Sequence, residues 1–183
     1  MLNAQPTTQG TNPTATAPRQ QWEACIRALQ PSQLHHFQWH LLRLADASRR
    51  SRFGCPTSDA FLRTYGERID GANTLVLGCF VDGHMRGAVE LRSLKDTWCN
   101  AAEIAFSVEE QWQGQGVGKA LLAAVLEAAR AHNITRLHLS CHTLNRRMQR
   151  VAESACAKMS FESCECLAEI EVAAAPVETD LAA

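Results

Sequence analysis

No stretch of this 183-residue chain approaches the roughly 18 continuous apolar residues of a membrane-spanning helix. Its first residues, MLNAQPTTQGTNPTATAPRQ, lack a basic segment followed by an apolar run. The expectation is a soluble, unexported, cytoplasmic protein with no membrane partner. Neither sign of charge is in excess: 18 Lys and Arg stand against 19 Asp and Glu, a net charge of −1, so electrostatics give no reason to expect nucleic acid. The eight cysteines include no C-x-x-C pair, and several stand inside apolar strand or helix patterns, which reads as reduced, buried small hydrophobes. Cys164-x-Cys166 matches none of the usual zinc spacings, so no metal is expected. Tyrosine occurs once, at Tyr65.

What is present suits one globular domain: 46% of residues are apolar and 20% charged. Residues 1–19, rich in Thr, Pro, Gln and Asn, cannot offset the entropy of ordering and read as a disordered tail. The domain is expected over 20–173, and 174–183 form a polar end. Trp22 to Leu29 reads as a first strand, and Pro31 opens a helix through Leu44 with Leu34, Phe37, Leu41 and Leu44 on one face. His35, His36 and His40 lie on that helix without a carboxylate or Cys at i, i+4 spacing, so they read as ordinary helix residues. Asp46 to Phe53 (DASRRSRF) begins with a helix cap at Asp46 and ends in a basic turn, and Thr57 or Ser58 caps a further helix that carries Phe61, Leu62, Tyr65 and Ile69.

From Asn73 the period changes from helical to alternating. Thr74 to Val81 is a nearly continuous apolar run, Asp82-Gly83 is a hairpin turn, and Met85 to Arg92 alternates. In Ala102 to Val108, Ile104, Phe106 and Val108 share one face while Glu103, Ala105 and Ser107 share the other. A helix from about Gly116 to His132 follows, then a strand from Ile134 to His142. Asn145 caps a last helix, read through Met159, and a hairpin is drawn from Phe161 and from Cys166 to Val172.

Between the Ala102 to Val108 strand and its helix lies Gln113-Gly114-Gln115-Gly116-Val117-Gly118-Lys119. Glycines at alternate positions bare the backbone where a helix begins, which suits an anion. A Walker A loop is excluded, because Gln113 replaces its first Gly and Ala120 follows Lys119. A Rossmann fingerprint is excluded by glycines at 114, 116 and 118 and by the missing βαβ pattern upstream. The loop resembles the acyl-CoA pyrophosphate loop of the GCN5-related N-acetyltransferases, whose pattern Gln/Arg-x-x-Gly-x-Gly/Ala is filled by Gln113, Gly116 and Gly118. The likeness extends over AEIAFSVEEQWQGQGVGKALL (Ala102 to Leu122) and to Asn145, and the element order is similar from Trp22 to Val172. The Ser48, Arg52, Phe53 string is similar to a segment of bacterial protein-lysine acetyltransferases.

That resemblance implies an α/β (α+β) GNAT fold: a mixed central sheet of six to seven strands flanked by about four helices. It implies acetyl-CoA as acyl donor, with Phe106, Ser107 and Val108 beside the pantetheine arm. The amides from Gly114 through Gln115, Gly116, Val117 and Gly118 to Lys119, closed by Gln113, would hold the pyrophosphate, and Asn145 would reach the pantetheine or phosphate. Asn145 is equally a plain helix cap, and Lys119 a solvent-facing helix residue. The acceptor would be an amine, either a small molecule or a protein lysine, and a homodimer is one further expectation. Because an amine near pKa 10.4 is mostly protonated at neutral pH, a base is needed. Glu103, alone in an apolar strand where burial would raise its pKa, stands where histone-type relatives carry their general base, with Glu90 second. The Gly-Phe that often ends the helix after Asn145 is missing, with Cys156 or Ser160 where Gly is usual, so the resemblance leaves the helix end open by a few residues. The family's Tyr acid position falls on Ala152, leaving Ser140, Cys141 and His142 as weak substitutes. That departure keeps a second reading open, a non-catalytic acyl-CoA sensor.

Overall fold

The computed structural model describes residues 25–69 and 71–173. Seven strands, β1 (Cys25–Ala28), β2 (Thr74–Val81), β3 (His84–Ser93), β4 (Ala101–Val108), β5 (Arg136–His142), β6 (Lys158–Glu162) and β7 (Glu165–Glu171), form one sheet in the order β1-β2-β3-β4-β5-β7-β6. Every neighbouring pair is antiparallel except β4 and β5, which run parallel. Among the described residues five α-helices accompany it: α1 (Leu34–Arg43), α2 (Asp46–Phe53), α3 (Asp59–Glu67), α4 (Val117–Ala131) and α5 (Arg146–Glu153). This is the mixed α/β sheet the sequence implies, with one helix more than expected.

Local chemistry explains the elements. Asp82 and Gly83 both have positive φ, 50° and 75°, the pair of left-handed residues a tight hairpin needs to follow the sheet twist. Ser58, not Thr57, caps α3 by accepting from the Phe61 N–H at 3.2 Å. The side-chain alternation of β2 and β3 feeds two cores. On one face α1 and α3 bury Phe37, Leu41 and Leu62 against Val76, Phe80, Met85 and Ala88. On the other, α4 buries Val117, Leu121, Leu122 and Val125 against Leu77, Val89, Leu91, Ala102 and Ile104. A Cβ on Gly87 would lie 2.8 Å from Val117 Cγ1, so a bare β3 lets the start of α4 sit directly on the sheet.

One sequence expectation needs correction. The last helix was expected through Met159, but α5 stops at Glu153 and Lys158–Glu162 is a strand. Cys156 adopts φ 56°, the left-handed position that glycine fills in many helix ends, and turns the chain into β6. The apolar spacing of Ala152 and Ala155 carried the helical reading past a turn that no glycine announced. Of the expected first strand, Cys25–Ala28 is found as β1, while Trp22 to Ala24 and the expected tails lie outside the described residues.

Candidate active site

The parallel β4 and β5 pair only at Ala101 with Arg136, Ala102 with Leu137 and Glu103 with His138. Beyond that point the strands separate, and a cavity of about 740 Å³ opens between Ala105 to Val108 on one side and Leu139 to His142 on the other. The hydrogen-bond phase of β4 decides what faces this gap. Glu109 N–H donates to Arg86 carbonyl at 3.0 Å, and the register places Ser107 opposite Ala88 and Ala105 opposite Glu90. Antiparallel pairs alternate, so the odd residues spend their main-chain groups on β3, while those of Phe106 and Val108 point into the gap. The Ser107 main chain therefore faces away from it. The Val108 carbonyl accepts from Gln113 Nε2 at 3.0 Å.

The glycine loop closes one end. Gly114 and Gly116 have φ of 75° and 95°, and Gly116 is the N-cap of α4, whose first amides lack helical partners. Gly114 and Gly118 line the cavity. Gln115 instead donates to the Gln111 carbonyl at 2.6 Å, Val117 is buried in the core, and Lys119 is exposed outside the cavity wall. Gln113 sits between three elements, donating to Ser48 Oγ at 3.1 Å and accepting from Arg147 Nη1 at 2.5 Å. Asn145 caps α5 through Oδ1, which accepts from Met148 N–H at 3.1 Å, and also lines the cavity. Arg146, Arg147 and Arg150 of α5 line it as well. Sequence reading followed the apolar face of NRRMQR and passed over these three, although basic residues directly after the capping Asn were the available signal. Their charge and the unpaired amides at the start of α4 give this end of the cavity a chemistry suited to an anion.

Glu103 departs from expectation. It is exposed, not buried, and lines a smaller recess of about 350 Å³ together with His138, Ser140, Lys158, Leu167 and Glu169. Ser140 borders both spaces, so the recess adjoins the point where β4 and β5 part. An alternating strand shows which face a residue takes, but not whether a helix covers that face. Of the two base candidates Glu90 is the buried one: it accepts from Arg52 Nη2, and from Tyr65 OH at 2.9 and 3.1 Å. Burial pushes the Arg52 guanidinium down from its ordinary value, opposed by Tyr65 and Glu103.

A second buried polar group also escaped sequence reading. His40 is fully buried, with Nε2 2.9 Å from Ser107 Oγ and Nδ1 3.3 Å from Glu109 Oε1. Burial drives its pKa down, so the neutral ring accepts from Ser107 and donates to Glu109. Burial alone would raise Glu109, but hydrogen bonds from His40, Arg43 and Arg86 outweigh it and bring the carboxyl to about 2. The network locks the end of β4 to α1 from outside the cavity. Of the substitute acids, Cys141 is pushed up to about 12 by burial and by neighbouring Cys166. His142 and Ser140 are exposed on the cavity wall, and Ala152 is buried in the core.

Comparison with known proteins adds three relatives. An aminoglycoside N(6')-acetyltransferase type 1 of Stenotrophomonas maltophilia is 40% identical over 63 residues, 31% of this chain and 40% of that protein. The chain thus aligns with less than half the length of that relative. Among solved structures, the GNAT domain of S. lividans PAT superimposes with a TM-score of 0.69 at 23% identity, covering 81% of this chain and 90% of that one. RimL, a ribosomal-protein alpha-N-acetyltransferase in complex with coenzyme A, gives 0.64 at 18% identity over 85% and 97%. The Acetyltransferase (GNAT) family itself matches residues 35–157, the span from α1 to the end of α5 that builds the splayed strands, the glycine loop and the cavity, and the chain belongs to that family.

Proposed function

We propose that the chain is an acetyl-CoA-dependent N-acetyltransferase that passes an acetyl group directly to a primary amine in a ternary complex. One observation carries this reading: the strand gap, into which the main-chain groups of Phe106 and Val108 point, leads to a glycine-capped helix start flanked by arginines. An extended pantetheine arm pairs with the first as an added strand would, and a pyrophosphate suits the second. Gln113, Gly114, Gly118 and Asn145 stand where the donor would lie; the amides of Gln115 to Lys119 are available even though those side chains point elsewhere. The RimL neighbour holds coenzyme A, the product that this donor leaves.

Glu103 is the proposed general base. It lines the recess beside the parting strands, where an ammonium would approach, and Glu169 adds a second carboxylate that favours a cationic acceptor. The amine, freed of its proton, attacks the thioester carbonyl, and the thiolate of coenzyme A leaves and takes a proton from solvent. A thiol near pKa 8.5 leaves without a dedicated acid, which accommodates Ala152 in place of tyrosine. Glu103→Gln is expected to lower amine-dependent thiol release about 100-fold while acetyl-CoA affinity by calorimetry stays unchanged. An undiminished rate would remove Glu103 from the mechanism. The buried Ala152 also favours a second reading, a non-catalytic acyl-CoA sensor. Tight acetyl-CoA binding without turnover of small amines or lysine peptides would select it.

A further inference from the structure

Arg52 has donors to spare in the cavity wall. Its side chain is only 11% exposed, and its hydrogen bonds to described residues all leave from one nitrogen, Nη2, to Glu90 and to Tyr65 OH at 3.2 Å. The Nε–H is buried with no acceptor. Its Cζ lies 4.9 and 5.9 Å from the ring centroids of Phe53 and Tyr65, which meet edge to face at 84°, so the cation is held against two aromatic side chains. Glu90 accepts from Arg52 Nη2 and from Tyr65 OH, and none of these bonds uses Nε or Nη1 of Arg52. Arg52 borders the donor cavity beside Ser48, Ser51 and Ala105, where the small Ala105 side chain leaves room above β4. A buried, always-charged fork with an unused donor is a costly arrangement unless an oxygen acceptor completes it.

We infer that Arg52 forms a carboxylate-binding subsite in this cavity, so that one of the two reaction partners carries a carboxylate close to the reacting centre. The inference rests on the donor cavity proposed above. Two sources share this chemistry: an amine acceptor of the amino-acid type, or an acyl group ending in a carboxylate. An amino acid places its amine and carboxylate one carbon apart. Glu103 and Arg52 lie on the same side of the sheet, Glu103 on β4 and Arg52 reaching from α2 to Glu90, which is paired with Ala105.

Titration calorimetry separates the sources without needing turnover. N-acetylglycine and uncharged N-methylacetamide, each titrated into coenzyme A-loaded protein, test the acceptor. Succinyl-CoA against butyryl-CoA tests the acyl group. In one of these arms the carboxylate ligand is expected to bind about tenfold more tightly than its neutral partner. Arg52→Lys is expected to reduce that preference to below about threefold, since the ammonium keeps the charge and loses the fork. Because Arg52→Met alone strands Glu90, the paired Arg52→Met and Glu90→Gln variant provides the second check, with coenzyme A affinity unchanged. Equal affinities in both arms, or a preference surviving in both variants, would overturn the subsite while leaving the donor reading intact. Failure of wild-type protein to bind coenzyme A at all would instead sink the donor reading and the subsite with it.

Discussion

His40 and Glu109 show how far a residue's role depends on a partner distant in sequence. They stand 69 positions apart, and no local spacing joins them. Their titration predicts a one-directional pH dependence. Glu109 has a folded pKa near 2 against an ordinary 4.5, so its contribution is complete above 4.5 and is lost as pH falls toward 2, on the order of a few kcal/mol. His40 acts in the same direction: its folded pKa lies below 6.5, so under that pH the unfolded chain binds a proton the folded one does not. Urea midpoints measured from pH 7 down to 3 should fall steadily, and Glu109→Gln should flatten the portion below 4.5. A midpoint rising toward acid would contradict the buried network. At the loop, Gly116→Val is expected to cost about 1–3 kcal/mol of stability, because a β-branched residue is strained at φ 95°, and to weaken acetyl-CoA binding. Wild-type affinity in that variant would show that the glycine is not needed for the anion.

Among elements, β4 and α4 carry the site together, and their packing was largely legible in sequence. The alternation of AEIAFSV and the Ala/Leu-rich pattern after Gly116 place Ile104, Leu121 and Val125 in one core, as found. Leu121→Ala is expected to cost about 2–5 kcal/mol in chemical denaturation, by lost burial and the cavity left behind. Gly87→Val should destabilise too and weaken acetyl-CoA binding, since its Cβ would push Val117 and the start of α4 off the sheet. Retained affinity at reduced stability would separate packing from the phosphate site. The end of α5 was legible only through the family resemblance, which put Cys156 or Ser160 at the usual glycine, because Cys156 makes the left-handed turn without the glycine that ordinarily signals one. Likewise Asp46 does not cap α2; Ala45 holds the N-cap position and Asp46 is the first helical residue.

For the whole molecule, acetyl-CoA at about 100 times its dissociation constant should stabilise the native state by about 2.7 kcal/mol and raise the melting midpoint, whereas ATP with magnesium should not. The reverse pattern would overturn the acyl-donor reading. The sequence by itself determined the order of elements, the two-sided sheet and the glycine corner, because hydrophobic period and glycine spacing are local properties. It therefore pointed to the donor. Only the tertiary structure decided where β4 and β5 part, that Glu103 faces solvent while Glu90 is buried with Arg52 and Tyr65, and that α5 brings three arginines to the cavity. Those facts depend on which elements cover which face and on contacts between residues far apart in the chain, and alternation along a single strand holds no information about either.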